Sequence, residues 1–133
     1  PDLFRWTSDD HITNIFYDTA ISEKIISSRR NLPPDPEKER HYLRNRNAMA
    51  RYGFDPPMPN PELRKWLHRI DVPTLLPWGA HDRLVPLPYA DTFQAEIPDT
   101  RLHVFVECGH LPQQEKKEEF VRVVRDFTAR AGG

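Results

Sequence analysis

The sequence is short of cysteine: among its 133 residues Cys108 stands alone. A lone thiol cannot close an internal disulfide, so the chain must hold itself by packing, and a reducing, cytoplasmic setting is expected. An excess of either charge is also missing, with 19 Lys+Arg against 20 Asp+Glu. That balance offers no basic field for nucleic acid or an anionic membrane surface. No apolar run approaches the roughly 18 residues that cross a bilayer, and the first residues do not read as a signal peptide. Hydrophobic residues are few, 38% of the chain, against roughly 45–50% in typical domains by a convention that counts Gly and omits Tyr. The length suits one domain whose core should be thin.

Proline, by contrast, is abundant: 14 residues, clustered at Pro33, Pro34, Pro36 and at Pro56, Pro57, Pro59, Pro61. Proline blocks helix interiors and biases its predecessor away from the α region, so these clusters punctuate the chain. Between them the periodicity is helical. Ile12, Ile15, Phe16 and then Ile21, Ile25, Ile26 predict one or two helices over 8–30, with Asp18 or Thr19 available as a cap. Asp35–Pro36 is a cap followed by proline at the first helical position, opening a helix to about Tyr52 that stops at Gly53. Its apolar stripe is weak: Leu43, Met49 and Tyr52. "FDPPMPNP" reads as an extended linker. Asn60–Pro61 repeats the cap-plus-proline device before Leu63, Trp66, Leu67 and Ile70, predicting a short helix.

From residue 71 the pattern changes. "VPTLLPWG" is a brief apolar run ended by glycine, as in a buried strand. Residues 87–97 carry a helix period at Leu87, Ala90, Phe93 and Ile97, and "RLHVFV" over 101–106 is a second strand. Phe120, Val123, Val124 and Phe127 mark a last amphipathic helix ending near Gly132. With a helix between them, the two strands should lie parallel through a right-handed crossover. Pro77 near the end of the first strand withholds a ladder donor, at a place where a bulge could accommodate it. Two parallel strands alone expose both edges, so this is an α/β fold with an incomplete sheet. Asp82 and His110 then fall just past the carboxyl ends of the two strands, where open α/β sheets build their sites. A carboxylate beside an imidazole fixes its tautomer and stabilises its protonated form, as a nucleophile's base requires.

Residues 60–129, with Trp78-Gly79-x-x-Asp82, then a helix, a strand and Gly109-His110, resemble the C-terminal end of the α/β-hydrolase-fold family. In that family W-G-x-x-D carries the triad acid and G-H the triad base, in the order Ser…Asp…His. The resemblance thus implies Asp82 as acid and His110 as base, no cofactor, no metal, and a small apolar or ester-like substrate. Glu115 matches a recurrent acidic position. It further implies that 1–59 are part of a helical cap and that 60–133 are the C-terminal segment of the hydrolase core. "RLHVFVECGH" is particularly similar to ring-cleavage-product C–C hydrolases, although Leu111 stands where tryptophan often follows the histidine. Carboxylesterase fits equally, and epoxide hydrolase or dehalogenase would follow from an Asp nucleophile. The family's G-x-S-x-G elbow is not found: Ser8, Ser22, Ser27 and Ser28 all lack glycine two residues to either side. The expectation is a hydrolase segment that supplies acid and base, and needs the N-terminal half of the fold for its nucleophile. The alternative is a non-catalytic binding or assembly module, or a homo-oligomer, pairing through its open strand edge.

Other residues have plainer readings. Neighbours on a turn seldom point at each other, so Cys108 reads as a buried small hydrophobe rather than a nucleophile served by His110. His103, Cys108 and His110 lack a common face and a fourth ligand for zinc. His81 reads as an exposed turn residue. Arg40, Arg44, Arg46 and Arg51, on a helix that opens with Glu37 and Glu39, read as a solvated helix face. Phe16, Tyr17, Tyr42 and Trp66 are expected to pack the cap, some of them lining a pocket.

Overall fold

A computed structural model describes residues 5–54, 60 and 62–131. Three helices come first, and each start has a local cause. Helix α1 (Ser8–Ile15) opens with a reciprocal capping box: the Asp10 amide donates to the Thr7 hydroxyl at 3.1 Å, and the Thr7 amide to the Asp10 carboxylate at 2.8 Å. Helix α2 (Thr19–Arg30) is capped by Asp18, whose carboxylate accepts the Ala20 amide at 2.8 Å. Helix α3 (Pro36–Phe54) starts on Asp35, which accepts the amides of Glu37 and Lys38, both at 3.1 Å. It runs through Gly53 instead of stopping there, because one glycine weakens a helix by about 1 kcal/mol without breaking it. The weak stripe of α3 stays largely outside: Leu43 is 51% exposed and Tyr52 86%.

The proline linker and Pro61 lie outside the described residues. Beyond them the expected short helix is a 3-10 segment, Leu63–Arg69, closed by bonds such as Lys65 amide to Glu62 carbonyl at 3.0 Å. The spacing of its apolar residues suits either helix type. In the tighter coil, residues three apart eclipse each other. Leu63 and Trp66 are therefore left about half exposed while Leu67 is buried. The expectation that Trp66 packs inside is wrong: its outer face carries the Arg69 guanidinium, 5.2 Å from the ring centre.

Strand β1 (Thr74–Gly79), helix α4 (Pro88–Glu96) and strand β2 (Thr100–Phe105) form the anticipated crossover, with the strands parallel and in continuous register from Thr74–Thr100 to Gly79–Phe105. No bulge accommodates Pro77; it pairs in register with His103. The Thr74 amide donates to Asp99 and the Ala80 amide to Phe105, so even-numbered amides of β1 face β2. Pro77 is odd-numbered, and its missing donor lies on the edge turned away from β2. A short helix α5 (Pro112–Glu115) and α6 (Lys117–Ala131) complete the chain. Phe105, Cys108 and Val123 form the core cluster, with Leu75 and Phe120 packed on it. The Phe105 and Phe120 rings lie 6.2 Å apart. Among the described residues no helix is long and apolar enough to cross a membrane.

Candidate active site

Both strands continue to interact past their ends, and that brings the polar residues together. The His81 amide donates to the Cys108 carbonyl at 2.9 Å. Gly79 makes this approach possible: a Cβ there would overlap the Gly109 carbonyl oxygen and lie 2.6 Å from that of Cys108. Between β2 and the histidine the chain turns through Glu107 at φ 51°, the left-handed region. A non-glycine residue there costs roughly 1 kcal/mol or more and is held by its surroundings.

Asp82 and His110 meet as the sequence suggested. The His110 Nδ1 and the Asp82 Oδ2 are 2.8 Å apart, and the carboxylate is 6% exposed against 35% for the imidazole. The other oxygen, Oδ1, accepts the amides of Leu84 at 2.8 Å and Val85 at 2.9 Å. The Trp78 indole donates to the Val85 carbonyl at 3.0 Å, fastening the loop that supplies those amides. An acceptor so surrounded assigns the proton of the neutral ring to Nδ1. Nε2 is then the unprotonated nitrogen, and among the described residues it has no hydrogen-bond partner.

The backbone of His110 is fixed separately. Its amide donates to the Ile15 carbonyl, at the end of α1, at 2.7 Å. Glu115 accepts the amides of Gly109 and Tyr17, both at 2.7 Å, and of Asp18 at 3.2 Å. Arg83 donates to the Thr13 carbonyl at 3.3 Å, and Tyr17 stacks on the exposed His81 with ring centres 4.5 Å apart. Apart from the acid at Glu115, these links to the α1–α2 turn carry no local sequence signature, because their partners lie far apart in the chain.

The alternatives for the other residues separate cleanly. Cys108 is fully buried, and its thiol is pushed up to about 12, by burial first and then by the Glu115 carboxylate beside it. It is a protonated core residue at neutral pH, not a thiolate. His103 turns to Glu119 of α6 at 2.9 Å, so it and His110 serve different carboxylates. Ser8, Ser22, Ser27 and Ser28 make no bond to His110; Ser22 is buried and donates to the Thr19 carbonyl. Arg46 is not simply solvated: it reaches the Trp6 carbonyl and the Tyr42 hydroxyl, both at 3.1 Å. It lines a cavity of about 330 Å³ among α1, α2 and α3, together with Ile12, Ile15, Arg29, Tyr42 and Met49.

A family model described as the α/β hydrolase fold matches residues 39–117, which include Asp82, His110 and Glu115. The chain belongs to that family. Among curated relatives it is 30% identical to a 2-hydroxy-6-oxononadienedioate/2-hydroxy-6-oxononatrienedioate hydrolase of Comamonas testosteroni, over 86% of this chain and 38% of that protein. It is 32% identical to a 2-hydroxy-6-oxo-6-phenylhexa-2,4-dienoate hydrolase of the same species, over 85% of this chain and 37% of the relative. The chain thus spans little more than a third of the length of these relatives. In fold it resembles a 2-hydroxy-6-oxo-6-phenylhexa-2,4-dienoate hydrolase from a Rhodococcus species, with TM-score 0.68 and 23% identity over 91% of this chain and 43% of that one.

Proposed function

We propose that this chain supplies the acid and the base of a hydrolase that cleaves a C–C bond in a 2-hydroxy-6-oxo-dienoate, a product of aromatic ring cleavage. The observation that carries the reading is the Asp82–His110 bond of 2.8 Å beside the strand ends, which leaves Nε2 as a base. Nε2 takes the proton of an attacking oxygen, either a nucleophile's hydroxyl or water. Asp82, held by the Leu84 and Val85 amides, keeps the ring in the right tautomer and stabilises the imidazolium. The same proton is then returned to the departing carbon. The nucleophile belongs to the part of the fold outside these 133 residues, which would pair with the free edge of β1.

The cavity among the first three helices supports the substrate class, with those helices serving as the cap. Its floor of Ile12, Ile15 and Met49 suits an apolar chain or ring, and the guanidinium groups of Arg29 and Arg46 suit a carboxylate. The relatives are named for 2-hydroxy-6-oxo-dienoates, which combine both features.

Loss of the dienoate's absorbance, followed with the complete enzyme that carries this chain, tests the proposal. Asp82→Asn and His110→Ala should each lower kcat by roughly 10³–10⁴-fold, and the 133-residue chain alone should not cleave a p-nitrophenyl ester above background. Turnover that survives His110→Ala would overturn the assignment of the base.

A further inference from the structure

We propose that Glu115 is a positioning residue for His110: its carboxylate fastens the turn that carries the base to the α1–α2 turn, so the base keeps its register only while those helices are seated. This rests on the reading of His110 as a base. The geometry is two-sided. Oε1 accepts from Gly109, the neighbour of His110, and Oε2 accepts from Tyr17 and Asp18, at the start of α2. One carboxylate thus bridges segments separated by most of the chain, and its charge is spread over three amide donors.

The bridge is tight on its Gly109 side, although its outer side opens onto a pocket shared with Thr19, Ile21 and Lys116. Gly109 lies so close to the α1–α2 turn that a Cβ would overlap the Ile15 carbonyl and lie 2.8 Å from the Tyr17 nitrogen. The His110 amide is itself bonded to that Ile15 carbonyl. Without Glu115 the Gly109 and Tyr17 amides would lose their protein acceptor in a partly buried contact, and that loss favours separation of the two segments. The two carboxylates around His110 therefore divide the work. Asp82 sets the ring, and Glu115 sets the backbone from which the ring hangs. Ile15 also lines the cavity, so an occupant pressing on α1 acts one carbonyl away from the base.

The test is spectroscopic and needs no turnover. In isotope-labelled protein, the His110 Nδ1 proton, bonded to Asp82, should give a downfield resonance. In Glu115→Ala that resonance should broaden and weaken, and the Gly109 and Tyr17 amides should exchange at least tenfold faster, while His103 and Phe105 of β2, whose amides face β1, keep their protection. Should the alanine variant fail to fold, Glu115→Asp decides: it retains the charge but is too short to reach both turns, and should show the same changes more weakly. An unchanged His110 resonance in a folded variant overturns the proposal, whether or not the amides lose protection. In the complete enzyme, kcat should fall about tenfold or more with KM altered less than twofold. Hydrolysis that depends on His110 but ignores Glu115 would sink this inference alone. A responsive resonance in a protein without hydrolase activity would sink the proposed function alone.

Discussion

The helices from Ser8 to Phe54 and the α/β segment from Thr74 to Ala131 are stabilised by different means. In the first, each helix is started by its own cap, at Thr7, Asp18 and Asp35, yet the buried side chains are few: Ile12, Phe16 and Ser22. In the second, Phe105, Cys108 and Val123 form one buried cluster beside a parallel pair of strands, and Ala90 and Ile97 are buried as well. Caps decide where a helix begins, but an isolated helix of this length is marginal in water and needs a surface to sit on. For α1 and α2 that surface is the His110 turn, reached through Ile15, Tyr17 and Asp18. The core of one half thus positions the other through the candidate site, and damage should spread from the α/β segment to the helices more than the reverse.

Gly79→Ala is the severest way to break that relation. The added Cβ meets backbone carbonyls of the His110 turn, which cannot rotate aside. We expect a loss of about 4 kcal/mol or more, at the exceptional end for single substitutions, seen as a lower urea midpoint together with loss of the Asp82–His110 resonance. Phe105→Ala comes next. It removes a fully buried ring from the core cluster and should cost about 3–5 kcal/mol. Leu43→Ala, at a half-exposed position of α3, should stay within about 0.5 kcal/mol. Equal losses for Phe105→Ala and Leu43→Ala in urea titrations would dissolve the distinction between the halves.

The same contrast explains what could be read from the sequence. Strand, glycine, polar residue is a local signature at both Trp78–Asp82 and Phe105–His110, and a helix between two strands fixes them parallel. The sequence alone therefore puts Asp82 and His110 at the same sheet edge. Local signals also pointed to the cap at Asp35 and narrowed that of α2 to Asp18 or Thr19. They could not choose between an α-helix and a 3-10 coil over Leu63–Arg69, because apolar residues three apart satisfy both. Nor could they locate the odd-numbered edge onto which Pro77 turns, since that depends on which amides face β2. The reach of Glu115 to Tyr17 and Asp18 was hidden for a further reason: its partners are backbone amides, which any residue type supplies.

The mildest change tests whether caps act locally in the helical half. Asp35 accepts the backbone amide of Lys38 first, then bonds with that lysine's side chain, and these hold its carboxyl below the ordinary carboxylate value. The sign follows: a carboxyl with a lowered folded pKa stabilises the helix above the unfolded value of 3.8, and that contribution fades as pH falls through the lower folded value. Asp35→Ala should therefore reduce far-ultraviolet helical signal at pH 7, with a smaller difference from the parent near pH 2. The near-ultraviolet signal of Trp78 and its neighbours should not move, because α3 is not part of the core cluster. A cap substitution in α3 that disturbed the Asp82–His110 resonance would show that the third helix is coupled to the site as tightly as the first two.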